Sequence, residues 1–396
     1  VTRQTLDPNP FCERSPYQPK FWSNTWWQTA AHCPRHFYYA VIRGLSRSGA
    51  SSSVHLTFGS LIHEGADVFS KARAAGADTE LATEFALDHV LKASWPEGAK
   101  EDIFGGTYGP VFQCNDRTRT NSKKGITRCP WSKAEHLNAS HEVCPGCGGP
   151  ITARIAYLCA EKVKNRRTLA RAVVALCDYF TAGSVRPRVL PDGRIGSEYR
   201  WFQPLPIQTP DGDTYMMTGS MDGVASAPGV ATLIPEYKST QREPDAKFWT
   251  SYEMSPQVHT YSWAGNREFG KGTRVMVYAI HVGVGFVEVY PKSVYLSPNA
   301  LAEWEAELAH KVQEFELRAA LALKAEEEGR DPATAYPRNL AACNSLPGAS
   351  TTPCPFRDFC RLDPADRETF LAGNFSQSDY NPLGAKGAEG TPQEDA

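Results

Sequence analysis

The sequence predicts an α/β fold: a central mixed sheet flanked by helices, with a Cys-rich insertion. Three observations carry this reading. Apolar residues recur at helical spacing in FGSLIHEGADVFSKARAAG and TELATEFALDHVLKASW. Short β-rich runs crowd the segment between residues 184 and 240, and a helical pattern and two more such runs follow. From Gly105 to Pro150 the periodicity stops, and Gly, Cys, Lys and Arg accumulate. Helices, then strands, a helix and further strands describe a mixed domain around one sheet, and no internal repeat breaks that order.

Residues 1–57 are rich in aromatics and turn formers and precede the first two helices. After the insertion at 105–150, ARIAYLCAEKVKNRRTLARAVVALCDYFTA (153–182) is expected to be one long amphipathic helix. SVRPRVL, IGSEYRWFQPL, TYMMTGSMDGVAS and VATLIPEYKST read as strands, parted by Asp-Gly, Pro and Gly. SPQVHTYSWAGNREFG reads as a helix, TRVMVYAIHVG and GFVEVYP as strands, and the stretch from Ser297 to Gly329 as a long capped helix. The expected core is thus 58–104 with 151–365, and the polar, Gly/Pro-rich 376–396 is expected to be a disordered tail.

Composition bounds the function. An apolar content of 41%, a charged content of 22% and a mean hydropathy of -0.42 suit a soluble globular chain, and no apolar run reaches membrane-span length. VTRQTLDPNP has neither the basic nor the apolar region of a secretory leader, so the expected compartment is the cytoplasm. A formal charge of -2 leaves nucleic acid open as a partner, because a locally basic cleft suffices. In a reducing compartment, the eleven cysteines read as metal ligands or core residues. Cys33 stands near the start, Cys343, Cys354 and Cys360 near the end, and Cys114, Cys129, Cys144 and Cys147 in the middle. Cys12, Cys159 and Cys177 have no partners at ligand spacing and read as structural.

The chemistry concentrates where the strands do. Asp222 in TGSMDGVAS and Glu236 with Lys238 in LIPEYKST fall on neighbouring predicted strands, and residues two apart share a strand face. Two carboxylates and an ammonium can therefore converge, which suits Mg2+ or Mn2+ beside a phosphate. Lys238 would orient or activate the attacking water and offset charge in the transition state. The bland alternative is a solvent-facing strand edge.

These residues resemble the RecB-like branch of the PD-(D/E)XK nuclease superfamily, which includes AddB-like nuclease domains and CRISPR-associated RecB-like exonucleases. GSLIHE, with His63, is similar to the first motif, whose histidine contributes to the metal site. Asp222 is similar to the second motif and Glu236 with Lys238 to the third. Gln257 and Tyr261, four apart in SPQVHTYSWA, match the QxxxY helix and share one face, from which they can reach DNA or brace the lysine. Pro235 and Tyr237 flank Glu236 where an acidic residue often sits in relatives. The resemblance implies a restriction-endonuclease-like core and a metal-dependent deoxyribonuclease, with exonuclease-type work on DNA ends or single strands in recombination, repair or phage DNA metabolism. A non-catalytic DNA-binding or scaffolding subunit is the alternative, disfavoured because a degenerate copy normally loses one of Asp222, Glu236 and Lys238.

The resemblance also implies that Cys33, Cys343, Cys354 and Cys360 hold a 4Fe-4S cluster that staples the two ends of the core, with zinc on the same ligands as the alternative. The middle group reads separately. CPGCGGP is a metal knuckle, and Cys144 and Cys147 with Cys114 and Cys129 would complete a four-thiolate zinc site, unless His136 or His141 replaces one of the latter. Arg117, Arg119, Lys123, Lys124, Arg128 and Lys133 share that insertion, as a solvated face or as contacts to phosphates. No GxxxxGK[ST] loop is present, so a helicase would be a separate partner.

Overall fold

The computed structural model describes residues 19, 21–47, 54–95, 97, 99–104, 106–114, 151–159, 167–182, 185–209, 211–283, 286–344 and 353–377. The chain enters through β1 (Phe21–Ser23), α1 (Asn24–His32) and α2 (Pro34–Phe37), followed by a π-helical turn over Tyr38–Ile42 and β2 (Leu45–Arg47). Then come α3 (Val54–Ala74) and α4 (Thr79–Ser94). The apolar stripe of α3 buries Phe58, Leu61, Ile62, Ala66 and Phe69, and the carboxylate of Asp78 caps α4 by accepting the Leu81 N–H at 2.8 Å.

Next, β3 (Gly106–Cys114) pairs antiparallel with β4 (Ile151–Cys159), and α5 (Leu169–Ala182) follows. The single helix expected over 153–182 is therefore a strand and a shorter helix. Ile151, Ile155 and Tyr157 have strong β preference, and alternation with Thr152 and Arg154 fits a paired strand better than a helix face. Cys159 accordingly ends a strand.

The remaining strands are β5 (Arg186–Pro187), β6 (Ser197–Gln208), β7 (Thr214–Gly223), β8 (Ala225–Ala227) and β9 (Val230–Thr240). After α6 (Ala246–Glu253) and α7 (Pro256–Phe269) come β10 (Arg274–Val282), β11 (Val287–Val294) and α8 (Pro298–Glu327), and α9 (Pro364–Asn374) and β12 (Phe375–Gln377) close the described chain. The expected mixed α/β architecture is present; beside the two-stranded pairs β3-β4 and β12-β2, its described strands form two mixed sheets, ordered β1-β7-β6 and β11-β10-β9-β8-β5. One strand path links them, because β7 continues through Val224 into β8. Pro235 has no N–H to give to a ladder, and a Cβ on Gly223 would lie 2.9 Å from its ring. Regular pairing of β7 with β9 is therefore barred at the point where the sheets part.

Helices cover both sides of β9 and β10. One core joins α1, α7, α8 and the β6–β7 hairpin through Trp26, Trp201, Val258, Leu308 and Phe315. The other joins α3, α4 and α5 to Tyr237, Tyr278 and Ile280. Among the described residues no helix is long and apolar enough to cross a membrane.

The seating of α7 on β9 is tight at Gly265, where a Cβ would come within 2.6 Å of Ile234 Cδ1 and 2.7 Å of Thr273 Cγ2. Gly265→Ala is expected to cost about 1–3 kcal/mol in chemical denaturation, as overpacking of a filled core does. Unchanged stability would show that this contact does not hold the helix.

Candidate metal-dependent active site

Glu236 and Lys238 lie two apart on β9, as strand parity requires. Glu236 is 1% exposed, and its Oε1 is paired with the Lys238 ammonium. The same oxygen accepts a hydrogen bond from Gln257 Nε2 at 3.0 Å. The serine cap and Pro256 start α7 immediately before Gln257, so the helix delivers this amide to β9 in its first turn. Gln257 also donates to the Tyr261 hydroxyl at 3.1 Å, and Tyr261 donates to the Ser220 carbonyl on β7 at 2.8 Å. The QxxxY pair thus braces the glutamate and the Asp222 strand, whereas the sequence reading offered DNA or the lysine as its target.

Asp222, the next-to-last residue of β7, spans the gap between the sheets. Its Oδ2 accepts the Tyr237 backbone N–H at 3.2 Å, between Glu236 and Lys238, while Oδ1 lies 3.1 Å from His63 Nδ1 on α3. All six residues predicted for this site, His63, Asp222, Glu236, Lys238, Gln257 and Tyr261, are therefore connected.

Electrostatics follow from the crowding. Burial, then the charge of Asp222, push the Glu236 carboxyl up to about 7 against the pull of Lys238. Burial opposes the charged form of Lys238, but Glu236 outweighs it and holds the ammonium above its ordinary range. His63 is similar: burial works to lower it, and Asp222, Glu236 and Glu198 raise it further.

Glu198 is the residue that sequence reasoning missed. It lies on β6 between Ser197, paired with Gly223, and Tyr199, paired with Met221, and so sits across from Asp222. Glu198 is exposed to solvent, and partial desolvation and then the charge of Asp222 raise its pKa. One ligand atom each from His63, Glu198 and Asp222 lies within 4.8 Å of the others. The available signal was an acid on the strand preceding Asp222, but its register depends on an irregularity between Pro204 and Gln208.

A divalent cation fits the donors present. The carboxylates outnumber the ammonium, and Glu236 Oε2 is buried with no hydrogen-bond partner among the described residues. A buried carboxylate oxygen is costly unless a proton or cation meets it.

The four outer cysteines come together elsewhere. Cys33 follows α1, and its sulfur accepts the Asn339 N–H at 3.4 Å. Asn339 also donates through its side chain to the His32 carbonyl at 2.8 Å, and the buried Arg35 donates to the Tyr336 carbonyl at 2.6 Å. The Cys343 thiol lies 3.6 Å from the Asn339 carbonyl, and the Cys354 N–H donates to the Cys343 carbonyl at 3.1 Å. Burial pushes the Cys354 thiol up to about 11, and Cys33, Cys360 and Cys343 add to that rise. Cys129, Cys144 and Cys147 lie outside the described residues, as do the insertion's basic residues; Cys114 ends β3 opposite Ile151.

The fold is mixed α/β, and its site gathers carboxylates, a lysine and a histidine where the two sheets part. The family model described as the PD-(D/E)XK nuclease superfamily matches residues 22–143, returning the superfamily that the motifs resemble. That span contains His63, whereas Asp222, Glu236 and Lys238 lie beyond it. No curated protein matches the chain. Among solved structures, a Eubacterium rectale protein whose name proposes an exonuclease is 12% identical, with a TM-score of 0.35 over 75% of this chain and 81% of its own. SSO0001 is also 12% identical, with a TM-score of 0.21; the match spans 31% of this chain and 48%, about half, of SSO0001.

The raised carboxyl of Glu236 has a stability consequence. The folded state holds this proton more tightly than the unfolded chain, so its contribution is full below the ordinary carboxylate range and is lost as pH rises through about 7. Metal-free protein is expected to lose on the order of 2–3 kcal/mol between pH 5 and pH 8, with Mg2+ restoring part of it. Glu236→Gln should flatten the slope in thermal melts; an unchanged slope would assign it to other groups.

Proposed function

We propose that the protein is a Mg2+- or Mn2+-dependent deoxyribonuclease that hydrolyses phosphodiester bonds at DNA ends or in single strands, stabilised by a 4Fe-4S cluster. The observation that carries the reading is the buried Glu236, with one oxygen bound by Lys238 and Gln257 and the other without a partner, beside Asp222. Asp222 and Glu236 would hold the cation, with His63 at its edge. When bound, it supplies Lewis acidity and a more acidic water.

The chain's own groups supply the rest. Lys238, held above its ordinary range by Glu236, would offset charge on the phosphate and orient or activate the attacking water. Gln257 fixes Glu236, and Tyr261 ties that helix to the Asp222 strand. A scaffolding role would need neither an unpartnered buried carboxylate oxygen nor an intact lysine.

Cys33, Cys343, Cys354 and Cys360 are the proposed cluster ligands. Four thiolates are the soft ligand set that such a cluster takes, with zinc on the same ligands as the alternative. Cys114, Cys129, Cys144 and Cys147 are proposed as a separate zinc site on the insertion, whose Lys and Arg residues would contact DNA phosphates.

Cleavage of end-labelled and circular DNA by anaerobically purified protein tests the activity. Asp222→Ala or Glu236→Ala is expected to lower the rate at least about 10³-fold while sparing much of the DNA binding; unaltered cleavage in either variant would defeat the reading. Cys354→Ala should abolish the cluster's visible absorbance and lower the melting temperature. Wild-type protein that is colourless and iron-free would remove the cluster from the proposal and leave the nuclease site standing.

A further inference from the structure

We propose that Phe248, Trp249 and Tyr252 on α6 form a stacking platform for the unpaired bases of a DNA strand whose phosphate lies at Glu236 and Lys238. This rests on the nuclease reading above and narrows its substrate to single-stranded or frayed DNA.

The placement of α6 comes first. Glu236 pairs with Val277 on β10, and Val277 with Lys292 on β11, so Glu236 and Lys292 stand in one row on one face of the sheet, two strands apart. The aromatic residues of α6 reach both ends of that row. At one end Tyr252 is close enough to Lys238 and Glu236 for both charges to act on its hydroxyl. At the other, the Lys292 ammonium lies 5.5 Å from the ring centroid of Trp249. Two strand spacings, about 10 Å, span about three bases of a stacked strand. The platform therefore begins beside the reacting position and runs toward the sheet edge.

The surface of α6 is aromatic and only half covered. Positions 248, 249 and 252 fall on one side of a helix, with Tyr252 between the other two. Their rings form one cluster, with centroids 4.8 Å apart for Phe248 and Tyr252 and 5.1 Å for Phe248 and Trp249. Yet no residue of α6 is buried. Trp249 and Tyr252 pack only at the margin of the first core, Phe248 belongs to neither core, and the adjoining Met254 is 72% exposed. A contiguous apolar patch at the rim of an active site marks a binding surface.

Charge decides what that surface binds. Arg242 and Lys247 are interleaved with Glu243 and Asp245, and Lys292 is paired with Glu253 at 2.6 Å. Mixed charge gives phosphates little net attraction, so a duplex, which presents its backbone, gains little here. Unpaired bases stack on such rings whatever their sequence.

The test compares two strands of equal length and equal phosphate charge. Binding of the full chain to an end-labelled oligothymidylate, and to a strand with abasic sites in place of the bases, is followed by fluorescence anisotropy in EDTA. Wild-type protein is expected to bind the oligothymidylate about 5–100-fold more tightly than the abasic strand, and a blunt duplex no more tightly than the abasic strand. Phe248→Ala and Trp249→Ala should each lose much of that preference with an unchanged circular dichroism spectrum, and Trp249→Phe should keep it. Equal affinity of the wild-type chain for the two strands, binding of neither, or a preference that both alanine variants retain overturns the platform. Cleavage in Mg2+ is measured on the same preparations. Cleavage that persists alongside equal affinities leaves the nuclease reading standing without the platform, whereas a base preference without cleavage of any DNA defeats the nuclease reading and leaves the stacking surface.

Discussion

The charge of Glu236 sets the terms for the surrounding structure. A carboxylate removed almost completely from water is costly, and its neighbours are arranged to meet that cost. Lys238 shares its strand face, and Gln257 arrives from the first turn of α7. Asp222 takes the backbone N–H next to it. The capped start of α7, the close approach at Gly265 and the Tyr261–Ser220 hydrogen bond all serve to bring one amide within 3.0 Å of that carboxylate.

The parting of the sheets places the remaining donors. Where Pro235 denies β7 a regular ladder with β9, the side chain of Asp222 occupies the place of a backbone partner and accepts the Tyr237 N–H. The same interruption opens the strand ends toward α3, which supplies His63, and toward β6, which supplies Glu198. Tyr237 points to the other side, where it shares a hydrogen bond of 2.7 Å with Tyr179 and stacks on Tyr278. Rigid aromatic packing beneath β9 thus backs the polar site above it. At the outer cysteines, the Arg35–Tyr336 and Asn339–His32 hydrogen bonds hold the chain's early and late segments together.

Much of this was legible in the sequence. The parity of Glu236 and Lys238 and the i, i+4 spacing of Gln257 and Tyr261 are local rules that need no tertiary information. Glu198 was not legible because its partner is set by pairing register. Gln208 pairs with Thr214, but beyond an irregularity Pro204 pairs with Met216, and only that shift brings Glu198 opposite Asp222. The strand at Ile151–Cys159 was missed for a similar reason. Its apolar residues suit either period, and the decision falls to β3, its partner across the insertion. The division into two sheets depends on where Pro235 meets Gly223, a contact between segments that local patterning does not connect.

The most direct measurement is an anomalous difference map from crystals grown or soaked in Mn2+ at the manganese absorption edge. A peak in ligand contact with both Asp222 and Glu236 is the expected result, with Lys238 remaining beside Glu236. A map with no ion at those carboxylates under saturating Mn2+, and with Glu236 still closed against Lys238 and Gln257 alone, would contradict a metal-dependent site.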